Sequence, residues 1–217
     1  MKNKSFYWSG SFLFLIIFLL LATAVLNSWT ILTNFDTAIT QVIRSLYPYF
    51  TSFFIGITQL GNPVVVGCIY LICAFALYRK NFKISALWLS VNVIGIAALL
   101  NSGIKLLVAR QRPALEHLVT ETSYSFPSGH STGSMMLYGT LFCLVPLLIN
   151  SKNWRLFIRI LLIGVILAVG ISRIYLGVHF PSDVVGGYAL GITWLLFTYP
   201  LYKERFMHET QQRKKEQ

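Results

Sequence analysis

His179 and Asp183 are the two residues of this sequence whose types and spacing most clearly suggest chemistry. They are four positions apart, close behind a long apolar run. Ionisable groups in such a setting are costly to keep unless they are paired, solvated or functional. At this spacing a carboxylate can accept a hydrogen bond from one imidazole nitrogen and leave the other nitrogen free to attack a substrate. Arg173, six residues before His179, adds a cation that suits an anionic substrate.

A second group of charges precedes Pro113. Lys105 and Arg112 are seven residues apart, two turns of a predicted helix that Pro113 ends, so we expect both on one face. An ammonium group and a planar guanidinium together suit the several oxygens of a phosphate. Snorkelling of basic side chains at a helix end would explain the same pair. For Arg110, which points elsewhere on that helix, snorkelling is the better interpretation.

The third group is Ser128-Gly129-His130, which follows Pro127 and opens a predicted helix. The first N–H groups of a helix are unpaired, and the helix dipole favours negative charge there, so this start can bind an anion that Gly129 allows to approach closely. The alternative is that Ser128 is only a helix cap and His130 a surface histidine.

Together the three groups suit phosphate better than a carboxylate or a sugar. Two histidines permit a two-step displacement at phosphorus, in which one attacks and the other protonates the departing oxygen and then activates water. A metal held by His130, His179 and Asp183 is the competing use of these residues. The surrounding basic side chains would repel a cation, so no metal is predicted.

The composition indicates the setting of these groups. Of 217 residues, 55% are hydrophobic and only 12% charged, which predicts a polytopic membrane protein. The net charge of +11 does not indicate nucleic-acid binding, because the basic residues lie in short clusters between apolar runs. Cysteines 68, 73 and 143 lie inside apolar segments without a histidine at ligand spacing, and are interpreted as packing residues.

Apolar segments predict the architecture. The uncharged stretch from Gly10 to Phe35 is predicted as an uncleaved first span, although Ala22-Thr23-Ala24 resembles a signal-peptide cleavage site. Residues 36–62 are typical of an amphipathic helix at the membrane surface. Further spans are predicted at residues 63–78, 84–109, 127–149, 156–171 and 183–201. The predicted fold class is all-α: an integral membrane bundle of six transmembrane helices with an amphipathic interfacial helix between spans 1 and 2, forming a single domain over residues 1–217.

The basic residues predict the orientation of this bundle. With both termini in the cytoplasm, most of the 18 lysines and arginines fall in cytoplasmic segments. The outer side keeps Arg44, Lys105, Arg110, Arg112 and Arg173. We therefore expect a multi-pass cell-membrane protein with its charged motifs at the extracytoplasmic end. Residues 203–217 are predicted to be a charged cytoplasmic tail, in which His208 has no catalytic role.

The three groups resemble the signature motifs of the type 2 phosphatidic acid phosphatase family. They read Lys-x6-Arg-Pro at 105–113, Pro-Ser-Gly-His at 127–130 and Ser-Arg-x5-His-x3-Asp at 172–183, in the family's order and without departure at a signature position. The six-helix layout extends the resemblance to nearly the whole chain. This family also includes phosphatidylglycerophosphatase B, undecaprenyl pyrophosphate phosphatases and glucose-6-phosphatase.

The resemblance implies a role for each motif residue. It implies that His179 is a nucleophile that forms a phosphohistidine, that Asp183 is its partner, and that His130 is the general acid and then the general base. The implied phosphate ligands are Lys105, Arg112, Ser128, the Gly129 backbone and Arg173. No metal or other cofactor is implied. Vanadate, which the family's chloroperoxidase relatives hold in a similar pocket, is expected to inhibit as a phosphate mimic.

The membrane setting favours a lipid phosphate as substrate over a soluble sugar phosphate. Phosphatidylglycerol phosphate, phosphatidic acid and undecaprenyl pyrophosphate are the candidates. The loop residues Glu116, His117, Glu121 and Tyr124 are interpreted either as headgroup contacts or as a solvated loop. A lipid phosphotransferase with the same phosphohistidine and a non-catalytic carrier that tolerates loss of His130 are the alternative hypotheses. No nucleic-acid partner and no particular oligomeric state is predicted.

Overall fold

The computed structural model describes the backbone of residues 4–215 and the side chains of residues 4–207. Lys2, one of the basic residues counted for the orientation, and His208 therefore lie outside the described side chains. All regular secondary structure within this part is helical. The helices are α1 (Lys4–Leu26), α2 (Thr30–Arg44), α3 (Thr51–Thr58), α4 (Pro63–Arg79), α5 (Lys83–Ser90), α6 (Asn101–Val108), α7 (Gly129–Leu148), α8 (Lys152–Tyr175) and α9 (Pro181–Lys215). A 3₁₀ turn (Gln59–Gly61) precedes α4, and a π-helical segment (Val91–Leu100) joins α5 to α6.

Within the described part of the chain, five helical segments are long and apolar enough to cross a membrane. They are Lys4–Leu26, Lys83–Val108, Gly129–Leu148, Lys152–Tyr175 and Pro181–Met207. A further pair, Thr51–Gly61 and Pro63–Arg79, is bent by 49° and makes a sixth crossing if it is counted as one broken span. The bend lies where the Asn62 side chain accepts a hydrogen bond from the Val64 N–H, with Pro63 at the first helical position. The predicted all-helical, multi-pass bundle is confirmed.

The first span is shorter than predicted. It ends at Leu26, where the Asn27 side chain donates to the Thr23 carbonyl at 2.8 Å. Ser28 then adopts a left-handed φ of 49°, and a new helix begins at Thr30. Residues 30–35 therefore belong to the amphipathic helix and not to the span, because local side-chain bonding to the backbone ends the helix within an apolar stretch.

The predicted interfacial helix is also shorter than residues 36–62. The helix α2 ends at Arg44, and its exposed residues include Ile31, Phe35 and Val42. The single buried residue of α2 is Asp36. Apolar side chains on the outside of a helix beside the spans are typical of a helix at the membrane interface.

The separate helix α3 packs against the end of α8. The Phe54 ring is buried and lies 4.4 Å from the Tyr175 ring, centroid to centroid. The Thr51 hydroxyl lies 3.0 Å from the Tyr175 hydroxyl. Phe54, which lies in the segment predicted at the membrane surface, therefore faces inward and packs on the C-terminal turn of α8, which carries Arg173.

Buried amides fix the long span Lys83–Val108 against its neighbours. Asn92 donates to the Thr140 hydroxyl of α7 and accepts from the Trp194 indole of α9, both at 2.8 Å. Asn101 accepts from the Thr132 hydroxyl of α7, also at 2.8 Å. Such bonds between apolar helices set their register, since the alternative is an unpaired polar group. They bring the end of α6 beside the start of α7.

The helices α7 and α9 approach each other closely at two glycines. A Cβ atom added to Gly187 would lie 2.8 Å from the Ser128 carbonyl oxygen, and one added to Gly191 would lie 2.5 Å from Met135 Cγ. Gly187 and Gly191 therefore form a packing surface that places the start of α9 against the start of α7.

Gly187→Ala is expected to lower the thermal midpoint of the purified protein in detergent. The new methyl group would meet a backbone oxygen that cannot rotate away, and overpacking of this kind costs about 1–3 kcal/mol. Gly164→Ala is the matched control, because a Cβ atom there meets nothing within 4 Å. Equal midpoints for the two variants would contradict the proposed close packing.

Candidate active site

A cavity of about 1170 Å³ lies where the end of α6 meets the starts of α7 and α9. Its ionisable lining includes Lys105, Arg112, Glu121, His130 and His179. These side chains come from all three predicted motifs and from the loop between α6 and α7. The structure therefore brings the motifs together at one end of the bundle.

His179 lies in the turn between α8 and α9, with only 2% of its surface exposed. Its Nδ1 atom is 3.3 Å from Asp183 Oδ2, and its Nε2 atom is 3.3 Å from Arg112 Nη1. With the Nδ1 proton on the carboxylate side, the lone pair of Nε2 faces the cationic side chain. This is the orientation that an attacking histidine requires.

Burial lowers the pKa of His179 to about 3, although the hydrogen bond to Asp183 acts in the opposite direction. Desolvation disfavours the charged imidazolium, and Arg173 and Arg112 disfavour it further. The imidazole is therefore neutral at pH 7, which is the form that can attack an electrophile.

Asp183 is fully buried as the third residue of α9. Its Oδ2 atom accepts from the Phe180 N–H at 2.9 Å, as a residue of a capping box does. The same oxygen accepts from the Ser125 hydroxyl, which also lies 3.3 Å from His179 Nδ1. Ser125 is a site residue that the sequence analysis missed, because it belongs to none of the three motifs.

Lys105 and Arg112 reach the cavity by different routes. Lys105 is in α6 and donates to the Tyr124 carbonyl and to the Ser123 hydroxyl. The helix ends at Val108, where Ala109 has a left-handed φ of 47°, so Arg112 lies in the loop. The prediction that Lys105 and Arg112 lie two turns apart on one helix face was therefore wrong, although both cations line the same cavity.

Arg112 is held in this loop by backbone acceptors. Its Nε and Nη1 atoms donate to the carbonyls of Ser123 and Val178, both at 2.7 Å. The guanidinium is thereby fixed between the α6–α7 loop and the turn that carries His179.

Arg173 lies in the last turn of α8 and is only 1% exposed. It donates to the Thr58 hydroxyl at 2.8 Å and to the carboxylate of Glu121. Its Nε atom has no hydrogen-bond partner among the residues that the structure describes. A buried N–H donor without a partner indicates that the site can bind a ligand that supplies a hydrogen-bond acceptor.

The start of α7 is built from Ser128, Gly129 and His130. The Ser128 hydroxyl accepts from the Ser131 N–H at 3.4 Å, so it acts as a helix cap in this structure. Gly129 lines the cavity at the first position of the helix. His130 is buried rather than at the surface, and its Nδ1 atom lies 3.8 Å from Glu121 Oε1.

Glu121 places a carboxylate among these cations. Besides its contact with Arg173, its Oε2 atom lies 3.3 Å from Arg112 Nη2, and the other oxygen faces His130. The sequence analysis left Glu121 as either a headgroup contact or a solvated loop residue. The structure shows it in the cavity lining, with its oxygens paired to Arg112 and Arg173 and so in competition with any anion that binds these cations.

The other singled-out residues of the loop have different contacts. The Glu116 carbonyl accepts from Arg44 at 3.0 Å, and the His117 ring nitrogen lies 2.9 Å from the Pro113 carbonyl. Tyr124 lines the cavity and provides its carbonyl to Lys105. Glu116 and His117 therefore support the loop from outside the cavity.

Arg110 does not snorkel, so that interpretation was wrong. It forms ion pairs with Asp183 Oδ1 at 2.6 Å and with Asp36 Oδ2 at 2.8 Å. The left-handed Ala109 turns the chain away from the helix and towards α9. No sequence signal marked Asp36 as part of the site, because it lies 74 residues from Arg110.

The competing use of His130, His179 and Asp183 as metal ligands would need three ligand side chains close together. Residues 4–207 contain no group of three or more His, Cys, Asp and Glu side chains that could hold a metal ion. The charged groups near His130 and His179 include Arg112 and Arg173, with Lys105 near His130, besides the carboxylates of Glu121 and Asp183. The arrangement suits an anion with several oxygens.

Glu121→Gln is expected to strengthen the binding of inorganic phosphate or vanadate by roughly tenfold, equivalent to about 1.4 kcal/mol. The substitution keeps the side-chain shape but removes the negative charge that a bound anion must displace. Titration calorimetry on the purified protein measures the effect, with the exposed Glu116→Gln as control. Weaker or unchanged anion binding by Glu121→Gln would contradict a competition between the Glu121 carboxylate and the bound anion.

The low pKa of His179 predicts a pH-dependent stability. With a folded value of about 3 and an ordinary value of 6.5, the unfolded chain binds more protons between these pH values, so acidification favours unfolding. Between pH 7 and pH 5 this group should lower the stability by about 1–2 kcal/mol. The thermal midpoint of the wild type should therefore fall more steeply than that of His179→Asn. Parallel curves of thermal midpoint against pH for the two proteins would show that burial of His179 does not make the stability depend on pH.

Comparisons with known proteins identify relatives of similar sequence. Phosphatidylglycerophosphatase B of Bacillus subtilis (strain 168) is 38% identical over 186 residues, covering 83% of this chain and 87% of that protein. An undecaprenyl-diphosphatase of Sulfolobus acidocaldarius is 40% identical over 82 residues, covering 35% of this chain and 32% of that protein.

The chain also matches a solved structure and a protein-family model. The crystal structure of a transmembrane PAP2 type phosphatidylglycerolphosphate phosphatase from Bacillus subtilis is similar with a TM-score of 0.75 and 30% identity, covering 90% of this chain and 94% of that one. The model of the PAP2 superfamily matches residues 86–207, more than half of the sequence. The chain therefore belongs to the PAP2 superfamily.

Proposed function

We propose that this protein is a metal-independent lipid phosphate phosphatase that acts through a phosphohistidine on His179. The observation that carries the proposal is the orientation of this imidazole, with Nδ1 on the buried Asp183 carboxylate and Nε2 beside Arg112 in a cation-lined cavity. A neutral nucleophile next to several fixed cations is suited to attack on a phosphate ester.

In the first step the lone pair of His179 Nε2 attacks phosphorus. The P–N bond forms as the bond between phosphorus and the lipid oxygen breaks, and His130 donates a proton to the departing oxygen. The Nδ1 proton stays on the ring and is hydrogen-bonded to Asp183. The carboxylate of Asp183 stabilises the positive charge that develops on the phosphorylated ring. The lipid alcohol leaves, and the phosphoryl group stays on His179.

In the second step water attacks the phosphoryl group. The unprotonated His130 takes a proton from the water as the P–N bond breaks, and the electron pair of that bond returns to His179 Nε2. Inorganic phosphate is released and the starting protonation of both histidines is restored.

The phosphoryl oxygens are bound by cations and by the start of α7. Lys105, Arg112 and Arg173 neutralise the charge, and the Gly129 backbone adds unpaired N–H groups at a helix N-terminus. Ser128 supports this helix start and is proposed to contribute to phosphate binding there. The same arrangement needs no metal or other cofactor, and vanadate is expected to inhibit.

A second cavity supports a lipid as the substrate. It has a volume of about 320 Å³ and a mainly apolar lining that includes Val66, Leu71 and Ile94. It shares Pro63, Ala97, Ala98 and Gly129 with the charged cavity. A molecule with a phosphate in one cavity and a hydrocarbon chain in the other fits the pair of them.

Phosphatidylglycerol phosphate is the proposed substrate, because the relative that matches 83% of this chain is named a phosphatidylglycerophosphatase. Undecaprenyl diphosphate is the second candidate, on the basis of a named undecaprenyl-diphosphatase that matches 35% of the chain. Both have a terminal phosphate on a membrane-bound lipid, so the same two steps apply, with undecaprenyl phosphate in place of an alcohol as the leaving group of the diphosphate.

The site is proposed to face the extracytoplasmic side, with both termini in the cytoplasm. Lys4 forms an ion pair with Glu204 at 2.6 Å, so the first helix begins near the distal part of α9. The basic turn Arg79-Lys80 and the start of α8 at Lys152 share that end, whereas the motifs lie at the opposite one. An excess of basic residues on one side is typical of the cytoplasmic face.

Phosphate release from the purified protein in detergent with a metal chelator tests the proposal. Phosphatidylglycerol phosphate, phosphatidic acid and undecaprenyl diphosphate are compared, and the first is expected to give the highest kcat/KM. His179→Ala should reduce the release to background, and His130→Ala should reduce it by about 10²–10⁴-fold. Right-side-out vesicles should hydrolyse a short-chain substrate added from outside.

His117→Ala is the matched control, because this histidine lies in the same region outside the cavity. Its activity should stay close to that of the wild type. Undiminished release by His179→Ala would disprove the phosphohistidine mechanism. Transfer of labelled phosphate to an acceptor alcohol in place of water would identify a phosphotransferase.

A further inference from the structure

A buried chain of charges connects the interfacial helix to the partner of His179. The Arg110 guanidinium donates through Nη2 to Asp36 Oδ2 at 2.8 Å and through Nη1 to Asp183 Oδ1 at 2.6 Å. Asp36 and Asp183 are 2% and 0% exposed. We call this arrangement the Asp36–Arg110–Asp183 bridge. Charges this deeply buried are costly unless they are paired and hydrogen-bonded, as they are here.

The two oxygens of Asp183 have different partners. The Oδ2 atom faces His179 Nδ1 and also accepts from the Phe180 N–H and the Ser125 hydroxyl. The Oδ1 atom accepts from Arg110. Because the carboxylate is planar, fixing Oδ1 also fixes the direction in which Oδ2 faces the histidine.

Arg110 is itself held on several sides. Its guanidinium carbon lies 4.0 Å from the centre of the Phe180 ring, and its Nη1 atom also donates to the Ser182 hydroxyl at 2.8 Å. The planar fork of an arginine can serve two carboxylates at once, which a lysine cannot do with the same geometry. The position of this guanidinium is thus determined by α9 and by Asp36 together.

Asp36 connects the bridge to the start of α9. Its Oδ1 atom accepts from the Ser182 N–H at 2.8 Å, and its Oδ2 atom accepts from the Ser182 hydroxyl at 2.7 Å. It therefore caps the start of α9 through Ser182, which lies 146 residues further along the chain. The single buried residue of the otherwise membrane-facing helix α2 is the one that makes these contacts.

We propose that Arg110 and Asp36 are positioning residues that hold the Asp183 carboxylate in line with His179. This inference rests on the function proposed above. Arg110 also lines the large cavity, so the competing role is that of a fourth phosphate ligand. Its two terminal nitrogens already donate to carboxylates, which argues for positioning.

Steady-state kinetics of Arg110→Gln separate the two roles. Loss of positioning should lower kcat by about 10–100-fold, as expected when a reacting group is slightly misplaced. KM and the Ki of inorganic phosphate should stay within about threefold, since no phosphate ligand is removed. Arg110→Lys should recover part of kcat. Arg44→Gln, which removes an arginine that contacts the Glu116 carbonyl, should leave kcat unchanged.

A double-mutant cycle tests the role of Asp36. Asp36→Asn should lower kcat in the wild-type background by about 10-fold or more, but by less than about twofold in the Arg110→Gln background, because its effect passes through Arg110. The rate of phosphoenzyme formation in a single turnover should follow the same pattern. Equal losses in both backgrounds would overturn the role of Asp36.

Other kinetic results would overturn the positioning role of Arg110 and Asp36. A rise in the Ki of phosphate of tenfold or more for Arg110→Gln with unchanged kcat would make Arg110 a phosphate ligand and overturn the proposal. Unchanged kinetics of both variants would overturn it as well. Failure of the proposed function would look different, because then the wild type would release no phosphate or His179→Ala would remain active.

Discussion

Cationic side chains that converge on one poorly solvated cavity repel each other, and the end of the bundle that carries the motifs depends on how that repulsion is balanced. Burial lowers the pKa of Arg112, whereas the nearby carboxylates favour its charged form. Much of the balance comes from the loop between α6 and α7, through the carbonyls of Ser123 and Tyr124 and the carboxylate of Glu121. This loop is therefore as necessary to the site as the helices that it joins, although most of it lies outside the motifs.

The start of α9 combines structural and chemical roles. A helix needs acceptors for its first N–H groups, and here Asp36 and Asp183 provide them. Asp183 thereby becomes fixed at the place where it can also face His179. Close packing of Gly187 against the Ser128 carbonyl holds this helix start beside the start of α7. The geometry around the nucleophile thus follows from satisfying helix ends in an apolar bundle.

The apolar segments predicted the all-helical bundle, and the motifs predicted Lys105, Arg112, His130 and His179 of the cavity lining, because membrane burial and phosphate chemistry both restrict which residues are suitable. Arg110 was assigned wrongly, Asp36 was given no role, and Glu121 was left between two interpretations. Their roles arise from contacts with residues as far as 146 positions away, for which a single sequence carries no signal. The end of α6 was misplaced because alanine at position 109 rarely marks a left-handed turn. The end of α1 was missed because hydropathy does not register the hydrogen bond from Asn27 to the Thr23 carbonyl.

The location of Glu121 has a consequence for the end of each catalytic cycle. In the proposed reaction, a carboxylate displaced by the entering phosphate would stay tethered to the loop between α6 and α7, next to Arg112 and Arg173. When inorganic phosphate departs, this carboxylate is available to take its place, so the cations need not be exposed without an anion. Exchange of one anion for another keeps the charge of the cavity nearly constant, and this favours rapid product release over retention of phosphate.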